Sequence, residues 1–289
     1  MFVATLIARP GGLEAALVES LRNAWGGGEA RWLAPGEAGE FVLERHPDNL
    51  WQVWEDLQQA GVDLAVQVAA GRRKRMLIAD MDSTMIEQEC IDELADEAGV
   101  GARVAEITAR AMNGELDFEG ALRERVGLLA GLPEAVIGRV LETRISYTPG
   151  GRALLATMKA NGARALLVSG GFTAFATQVA EVLGFDEARA NVLEQADGRL
   201  TGRVVEPILG REAKVAALRE VSAARGIGLD EVIAVGDGAN DLGMLGLAGM
   251  GVALHAKPVV AAQCDLRVNH GDLTALLYLQ GYARDAFAA

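Results

Sequence analysis

Met76-Leu77-Ile78-Ala79-Asp80-Met81-Asp82-Ser83-Thr84 is a short apolar run that ends in two aspartates one residue apart. It reads as a buried strand opening onto a loop. Side chains alternate faces in extended backbone, so Asp80 and Asp82 can project toward the same side of the strand end, where open α/β sheets place their ligands. Two carboxylates converging there repel each other unless a cation or a shared proton intervenes. The chemistry that fits is Mg²⁺-assisted phosphoryl transfer, with one aspartate as nucleophile and its neighbour as proton donor. A solvated strand-to-loop turn produces the same letters, so the rest of the chain has to decide between the two.

Val232-Ile233-Ala234-Val235-Gly236-Asp237-Gly238-Ala239-Asn240-Asp241 is a second apolar run, ending in a glycine-rich acidic turn. Asp237, Asn240 and Asp241 supply hard oxygen ligands of the kind Mg²⁺ prefers. A dinucleotide loop would need glycine at the sixth position of G-x-G-x-x-G, where Asp241 stands, and a carboxylate there repels pyrophosphate. The plainer reading is a polar turn capping the next helix. Between the two runs, Ala165-Leu166-Leu167-Val168 leads into Ser169-Gly170-Gly171-Phe172-Thr173, where a hydroxyl and glycine amides at a helix start make an anion cradle. Lys214, in Gly210-Arg211-Glu212-Ala213-Lys214-Val215, heads a helical segment. A lone lysine there is ordinarily a solvated surface charge, so its weight comes from the three segments it accompanies.

These four segments, in this order, resemble the motifs of the haloacid dehalogenase superfamily of phosphotransferases. Asp80-Met81-Asp82-Ser83-Thr84 is similar to the first motif, Ser169 to the second, Lys214 to the third, and Gly236-Asp237-Gly238-Ala239-Asn240-Asp241 to the fourth. The resemblance implies Asp80 as nucleophile, Asp82 as general acid and base, and Ser169, Gly170, Lys214 and Asn240 around the substrate. It also implies Mg²⁺ held by Asp80, Asp237 and the backbone carbonyl of Asp82, with Asp241 orienting the metal site from behind.

The resemblance narrows to the phosphoserine phosphatases through Asp82-Ser83-Thr84-Met85-Ile86-Glu87-Gln88-Glu89-Cys90-Ile91-Asp92-Glu93 and Ala111-Met112-Asn113-Gly114-Glu115-Leu116-Asp117-Phe118. It implies that Glu89 holds the substrate ammonium, that Arg125 holds its carboxylate, and that Met112 and Phe118 shield the site. The expected reaction is hydrolysis of phosphoserine, the last step of serine biosynthesis, through an aspartyl-phosphate. A phosphatase or phosphotransferase for another small phosphorylated metabolite is the nearest alternative. A non-catalytic amino-acid sensor is the alternative of another class.

Charge supports the narrower resemblance. Glu87, Glu89, Asp92, Glu93, Asp96 and Glu97 follow one another without an intervening basic residue, an odd cluster to set beside a phosphate dianion. A substrate carrying its own ammonium resolves the conflict, and a guanidinium matches a carboxylate with two parallel hydrogen bonds. Most of these acids read as the solvated face and first turn of a helix. Glu89 is the exception.

Of the 289 residues, 51% are hydrophobic, enough to bury more than one core. A net charge of −13 and a pI near 4.8 argue against nucleic acid or an anionic membrane as partner. Cys90 and Cys264 form no C-x-x-C pair and read as reduced, packed thiols of a cytoplasmic protein. His46, His255 and His270 lack metal-ligand or triad spacing and read as structural or surface histidines. The opening Phe2 to Ala8 lacks a basic n-region and breaks at Arg9-Pro10-Gly11-Gly12, so it reads as a strand rather than a signal peptide. The expected partner is a small-molecule substrate, with a homodimer compatible with the chain.

The expected fold is α/β: a doubly wound parallel-sheet core over residues 71–289 with a helical cap inserted at about 83–148. A small α+β domain precedes it. In residues 1–70 strands and helices alternate as βαββαβ, a ferredoxin-like sandwich of the type found in small-molecule-sensing ACT domains. Gly71-Arg72-Arg73-Lys74-Arg75 reads as a solvated junction. The inserted helical stretch is broken at Gly99-Val100-Gly101, Asn113-Gly114 and Gly131-Leu132-Pro133, and its place directly after the first motif suits a lid. Residues 191–195 and 200–205 flank Ala196-Asp197-Gly198-Arg199 as a β-hairpin. No site residue falls in residues 1–70, so their deletion is expected to leave the chemistry intact.

Overall fold

The computed structural model describes residues 1–112 and 115–288, with the side chain of Met112 also outside the described part. The chain begins with β1 (Phe2–Ala8), α1 (Ala15–Ala24), β2 (Arg31–Ala34), β3 (Ala38–Leu43), α2 (Leu50–Gln59) and β4 (Val62–Val68). The strands pair antiparallel in the order β2-β3-β1-β4. Ala4, Leu6 and Ala8 of β1 pack with Val18 and Leu21 of α1 and with Leu50 and Leu57 of α2. Ile7 points the other way and joins the core of the rest of the chain. Burial on both faces is why β1 is a nearly unbroken apolar run rather than an alternating one.

β5 (Met76–Ala79) begins the second sheet, and α3 (Cys90–Glu97), α4 (Gly101–Met112), α5 (Phe118–Gly127) and α6 (Ala135–Thr143) follow it. The chain then runs through α7 (Gly151–Ala160), β6 (Arg164–Phe172), α8 (Thr173–Leu183), β7 (Glu187–Asn191), β8 (Leu193–Ala196), β9 (Arg199–Val204) and α9 (Arg211–Arg225). It ends with β10 (Val232–Gly236), α10 (Leu242–Leu247), β11 (Met250–Leu254), α11 (Pro258–Ala261), β12 (Leu266–Val268) and α12 (Ala275–Leu279). The six-stranded parallel sheet has the order β12-β11-β10-β5-β6-β7. Successive connections leave β5 in opposite directions, which opens a crevice at the carboxyl ends of β5, β6 and β10. Ala79 is level with Leu167 and Val235. The residues just beyond, Asp80, Ser169 and Asp237, therefore meet.

β5 is inaccessible to solvent along its length, with Leu77 and Ala79 in one core cluster and Met76 and Ile78 in the other. The helices α3 to α6 form the expected insertion. Its entry and exit run side by side, Glu87 N–H donating to Ser146 O (3.0 Å) and Thr148 N–H to Met85 O (3.0 Å). The expected break at Asn113-Gly114 lies outside the described residues. Asp117 starts α5 by accepting from Gly120 N–H (2.7 Å). The expected hairpin is β8–β9, and it is fastened to the cap: Gly131 N–H donates to Leu200 O (2.8 Å) and Leu200 N–H to Leu132 O (2.9 Å).

The basic junction is solvated in part, with Arg73 and Arg75 exposed, but its side chains also find partners. Arg72 pairs with the buried Glu40 of β3 (2.6 Å), Arg73 lies over the Tyr282 ring (4.3 Å), Lys74 donates to Asp230 O (2.7 Å), and Arg75 pairs with Glu231 (3.1 Å). These four partners are at least thirty residues away along the chain, which is why local composition hides the clasp. No helix among the described residues is long and apolar enough to cross a membrane. Both cysteines are buried free thiols.

Candidate active site

Asp80 follows β5 directly, and its N–H donates to Val235 O (3.1 Å) at the end of β10. One carboxylate oxygen, Oδ1, accepts from Met81 N–H (2.8 Å) and lies 2.7 Å from Lys214 Nζ. The other oxygen is left to react. Lys214 enters from α9 and bridges Asp80 to Asp241 Oδ1 (2.6 Å), while Asp241 Oδ2 accepts from Gly238 N–H (3.0 Å). Burial alone would lower the Lys214 pKa, but the two carboxylates overcome it and hold the ammonium charged. A side chain at Gly236 would collide with the Asp241 carboxyl, so the tight turn requires glycine there.

Asp82 stands across the same cavity. Its Oδ1 accepts from Cys90 N–H (3.2 Å), and Ser169 Oγ lies 3.4 Å from Oδ2, held in turn by Gly171 N–H (2.8 Å). A Cβ at Gly171 would stand 2.5 Å from that Asp82 oxygen. Burial, reinforced by Glu89, pushes the Asp82 carboxyl up to about 7, which suits a proton donor near neutrality. Burial and then Asp80 raise Asp237 to about 6 and Asp241 to about 7. Carboxylate oxygens of Asp80, Asp237 and Asp241 lie within 4.8 Å of one another.

The cavity of about 410 Å³ at this end of the sheet is lined by Asp80, Asp82 and Asp237 together with Glu89, Arg125 and Asn240. Glu89 precedes the first turn of α3, and Arg125 lies in the last turn of α5. The cap thus places a carboxylate and a guanidinium opposite the paired aspartates. Arg125 donates to Ala121 O (3.2 Å), which aligns the side chain along its own helix. Phe118 closes the cavity against Gly170 and Gly210, where added Cβ atoms would stand 3.1 and 3.3 Å from its ring. Ser169 and Lys214 reach the site through Asp82 and Asp80 rather than through the cavity wall. Met112 ends α4, and its side chain falls outside the described part.

Sequence reasoning missed several contributors. Ser83 Oγ donates to Glu89 Oε1 (2.7 Å) from a left-handed backbone, φ 54°. Lys257 lines the cavity and offsets negative charge at Glu89 and Asp237. Asn191 Nδ2 donates to Gly170 O (2.8 Å) and to Leu209 O (3.1 Å), tying the Ser169 loop to the approach to α9. Only the serine, which lies within the first motif, stood in a signal that could have drawn attention to it.

The sequence profile of the haloacid dehalogenase-like hydrolases matches residues 77–246, the span that holds every group just described except Lys257. The chain belongs to this family, in its phosphoserine phosphatase branch. It is 49% identical over 232 residues to the phosphoserine phosphatase of Streptomyces coelicolor, covering 79% of this chain and 56% of that protein. The chain thus spans little more than half the length of that curated relative. A phosphoserine phosphatase solved as a phospho-aspartyl intermediate analogue is 40% identical, with a TM-score of 0.66 over 71% of this chain and 98% of that one. A HAD family hydrolase from Salmonella enterica serovar Typhi superposes with a TM-score of 0.88 at 29% identity, over 99% of both chains. Its likeness includes the small antiparallel sheet.

Proposed function

We propose that the chain is a Mg²⁺-dependent phosphoserine phosphatase working through an aspartyl-phosphate on Asp80. The observation that carries this reading is the convergence of Glu89 and Arg125 on the cavity that holds Asp80 and Asp82. A phosphomonoester without an amino-acid moiety has no use for a carboxylate and a guanidinium facing its ester oxygen. Phosphoserine has an ammonium for the first and a carboxylate for the second.

Three convergent carboxylates matched by one buried lysine leave a negative excess that a small hard cation fits, with Asp80, Asp237 and the Asp82 carbonyl as its holders. When bound, the cation neutralises charge on the transferring phosphoryl oxygens. Asp241, with both oxygens already engaged by Lys214 and Gly238, serves as a support. The free oxygen of Asp80 attacks phosphorus and the bond to the serine oxygen breaks. Asp82 gives that oxygen its proton. Asp82, now ionised, takes a proton from water, whose oxygen attacks phosphorus and releases Asp80. Lys214, Ser169 and the Gly170 amide hold the phosphoryl oxygens, Asn240 adds a polar contact, and Phe118 excludes bulk water.

Parallel assays test the amino-acid clamp. Glu89→Ala and Arg125→Ala should each lower kcat/KM for phosphoserine by about ten- to a hundredfold, the value of one charge-assisted contact of roughly 1.5–3 kcal/mol. Turnover of an aryl phosphate, which lacks both groups, should change far less. Equal losses on both substrates would mean that these residues hold the cap together, and the clamp would be abandoned.

A further inference from the structure

The chemistry proposed above draws on two cations, and both are engaged inside the protein. Lys214 is shared by Asp80 and Asp241, and Arg125 donates to Ala121 O (3.2 Å) from the last turn of α5. The same cavity has a third cation on its wall. Lys257, between β11 and α11, is exposed and makes no side-chain hydrogen bond or ion pair with the described residues.

Its main chain is fixed where its side chain is not. Lys257 N–H donates to Asp237 O (3.4 Å), and its carbonyl accepts from Val260 N–H (2.8 Å) and Ala261 N–H (2.9 Å). The fold thus pins the Cα to the loop of Asp237 and leaves the ammonium without a structural partner. Solvation alone explains an ordinary surface lysine, but this one shares a wall with five carboxylates, those of Asp80, Asp82, Glu89, Asp92 and Asp237. Burial raises the pKa of Glu89 and of Asp237, and the Lys257 charge works against that rise at both.

Those carboxylates repel the incoming substrate. A phosphomonoester is close to a dianion at neutral pH, and the chain itself carries a net charge of −13. An unpaired ammonium at the mouth of a cleft draws an anion inward, and lysine meets phosphate as a point charge, without the fixed geometry a guanidinium needs. Arg125 approaches from the cap and is assigned to the substrate carboxylate. Lys257 approaches from the core beside Asp237, the side to which the phosphoryl group must come to meet Asp80.

We propose that Lys257 is a specificity-determining residue whose ammonium receives the phosphoryl dianion at the cavity mouth and opposes the cation that Asp237 helps to hold. The proposal rests on phosphoryl transfer to Asp80 and not on the amino-acid clamp. Its two effects have opposite signs, which separates a charge contact from a structural role.

Lys257→Gln removes the charge and Lys257→Arg keeps it. In the Mg²⁺-loaded protein, Lys257→Gln should weaken inorganic phosphate in calorimetric titration by about two- to fivefold, the range of one exposed charge pair. KM should rise by a similar factor for phosphoserine and for an aryl phosphate alike, the loss appearing in KM and not in kcat, and the salt dependence of kcat/KM should become shallower. Titrated into metal-free protein, Mg²⁺ should bind Lys257→Gln more tightly than the parent. Lys257→Arg should return the parent's values in each measurement. A loss on phosphoserine alone would assign Lys257 to the substrate carboxylate and overturn the proposal. Weakened Mg²⁺ together with weakened phosphate would also overturn it, reducing Lys257 to a support of the Asp237 loop. Phosphate bound equally by the parent and Lys257→Gln overturns the proposal and leaves the reading it rests on intact. A parent that binds no phosphate overturns both.

Discussion

Asp80 directs both of its protein contacts to one oxygen. Asp80→Asn replaces the other oxygen's negative charge with an amide, so turnover should be abolished and rapid quench should trap no phosphoryl label on the protein. Persistent labelling at another residue would refute the covalent route through Asp80. Asp82 carries a different signature. Its acid form, present below about 7 in the metal-free site, protonates the leaving oxygen, and its ionised form above that value activates water. A nearby divalent cation favours the ionised form and moves the window lower. In single-turnover experiments, formation of the aspartyl-phosphate should fall as pH rises through that window while its hydrolysis rises, and Asp82→Asn should flatten both with a loss on the order of 10²-fold or more. The Ser83 hydroxyl spends its hydrogen bond on Glu89, so Ser83→Ala should raise KM for phosphoserine about fivefold, the value of roughly 1 kcal/mol, and leave aryl phosphate kinetics nearly unchanged. A kcat loss shared by both substrates would instead place Ser83 in the chemistry.

Elements that present an unbroken apolar face were legible in the sequence, and those held by distant partners were not. β5 and β10 announce themselves because both faces of each strand are buried. Both α1 and α2 turn an apolar face, Val18 and Leu21 of one and Leu50 and Leu57 of the other, to the N-terminal sheet. β7 passed unnoticed because Glu187 and Arg189 are charged, as an edge strand allows. The acidic run on α3 looked unbalanced only because its cations arrive from α6 and the residue just after it: Arg144 meets Glu93 (3.2 Å) and Glu97 (2.7 Å), and Arg139 meets Glu97 (2.7 Å). The hairpin's docking on the cap was equally invisible, since it depends on Gly202. That residue has φ 81°, and a Cβ on it would stand 2.8 Å from the Ala130 methyl. Gly202→Val therefore combines backbone strain with a clash, worth about 1–3 kcal/mol or more. It should lower Tm by several degrees and raise KM by loosening the cap around Arg125. Unchanged Tm in a scanning calorimeter would mean that the hairpin does not brace the cap.

At the scale of the whole molecule, the active-site cavity takes no residue from the first seventy, in keeping with the expectation that they are dispensable for chemistry. Packing changes what their removal does. Ile7, Leu33, Ala34, Ala38 and Ala65 share a core with Leu276, Leu277 and Tyr278 of α12, and Tyr278 is wholly buried there, donating to Glu37 Oε1 (2.9 Å). Gln67 Nε2 reaches Leu279 O (2.7 Å), and Asp63 caps three amides after β12. Sequence could not show this, because the partners lie more than two hundred residues apart. Re-exposing a large apolar side chain costs about 1.5–3 kcal/mol, and a domain's entire margin is about 5–15 kcal/mol. A chain starting at Arg72 should therefore keep every catalytic group yet lose much of its stability, exposing the inner face of α12 and the backbone amides that Asp63 capped. The expected result is a lower, broader unfolding transition and association in sedimentation velocity. Replacing Tyr278 and Leu279 by polar residues in that shortened chain should reduce association without restoring the transition. A shortened chain that unfolds at the temperature of the full one would show that the two sheets are stable independently, and the interface would then contribute cover but not stability.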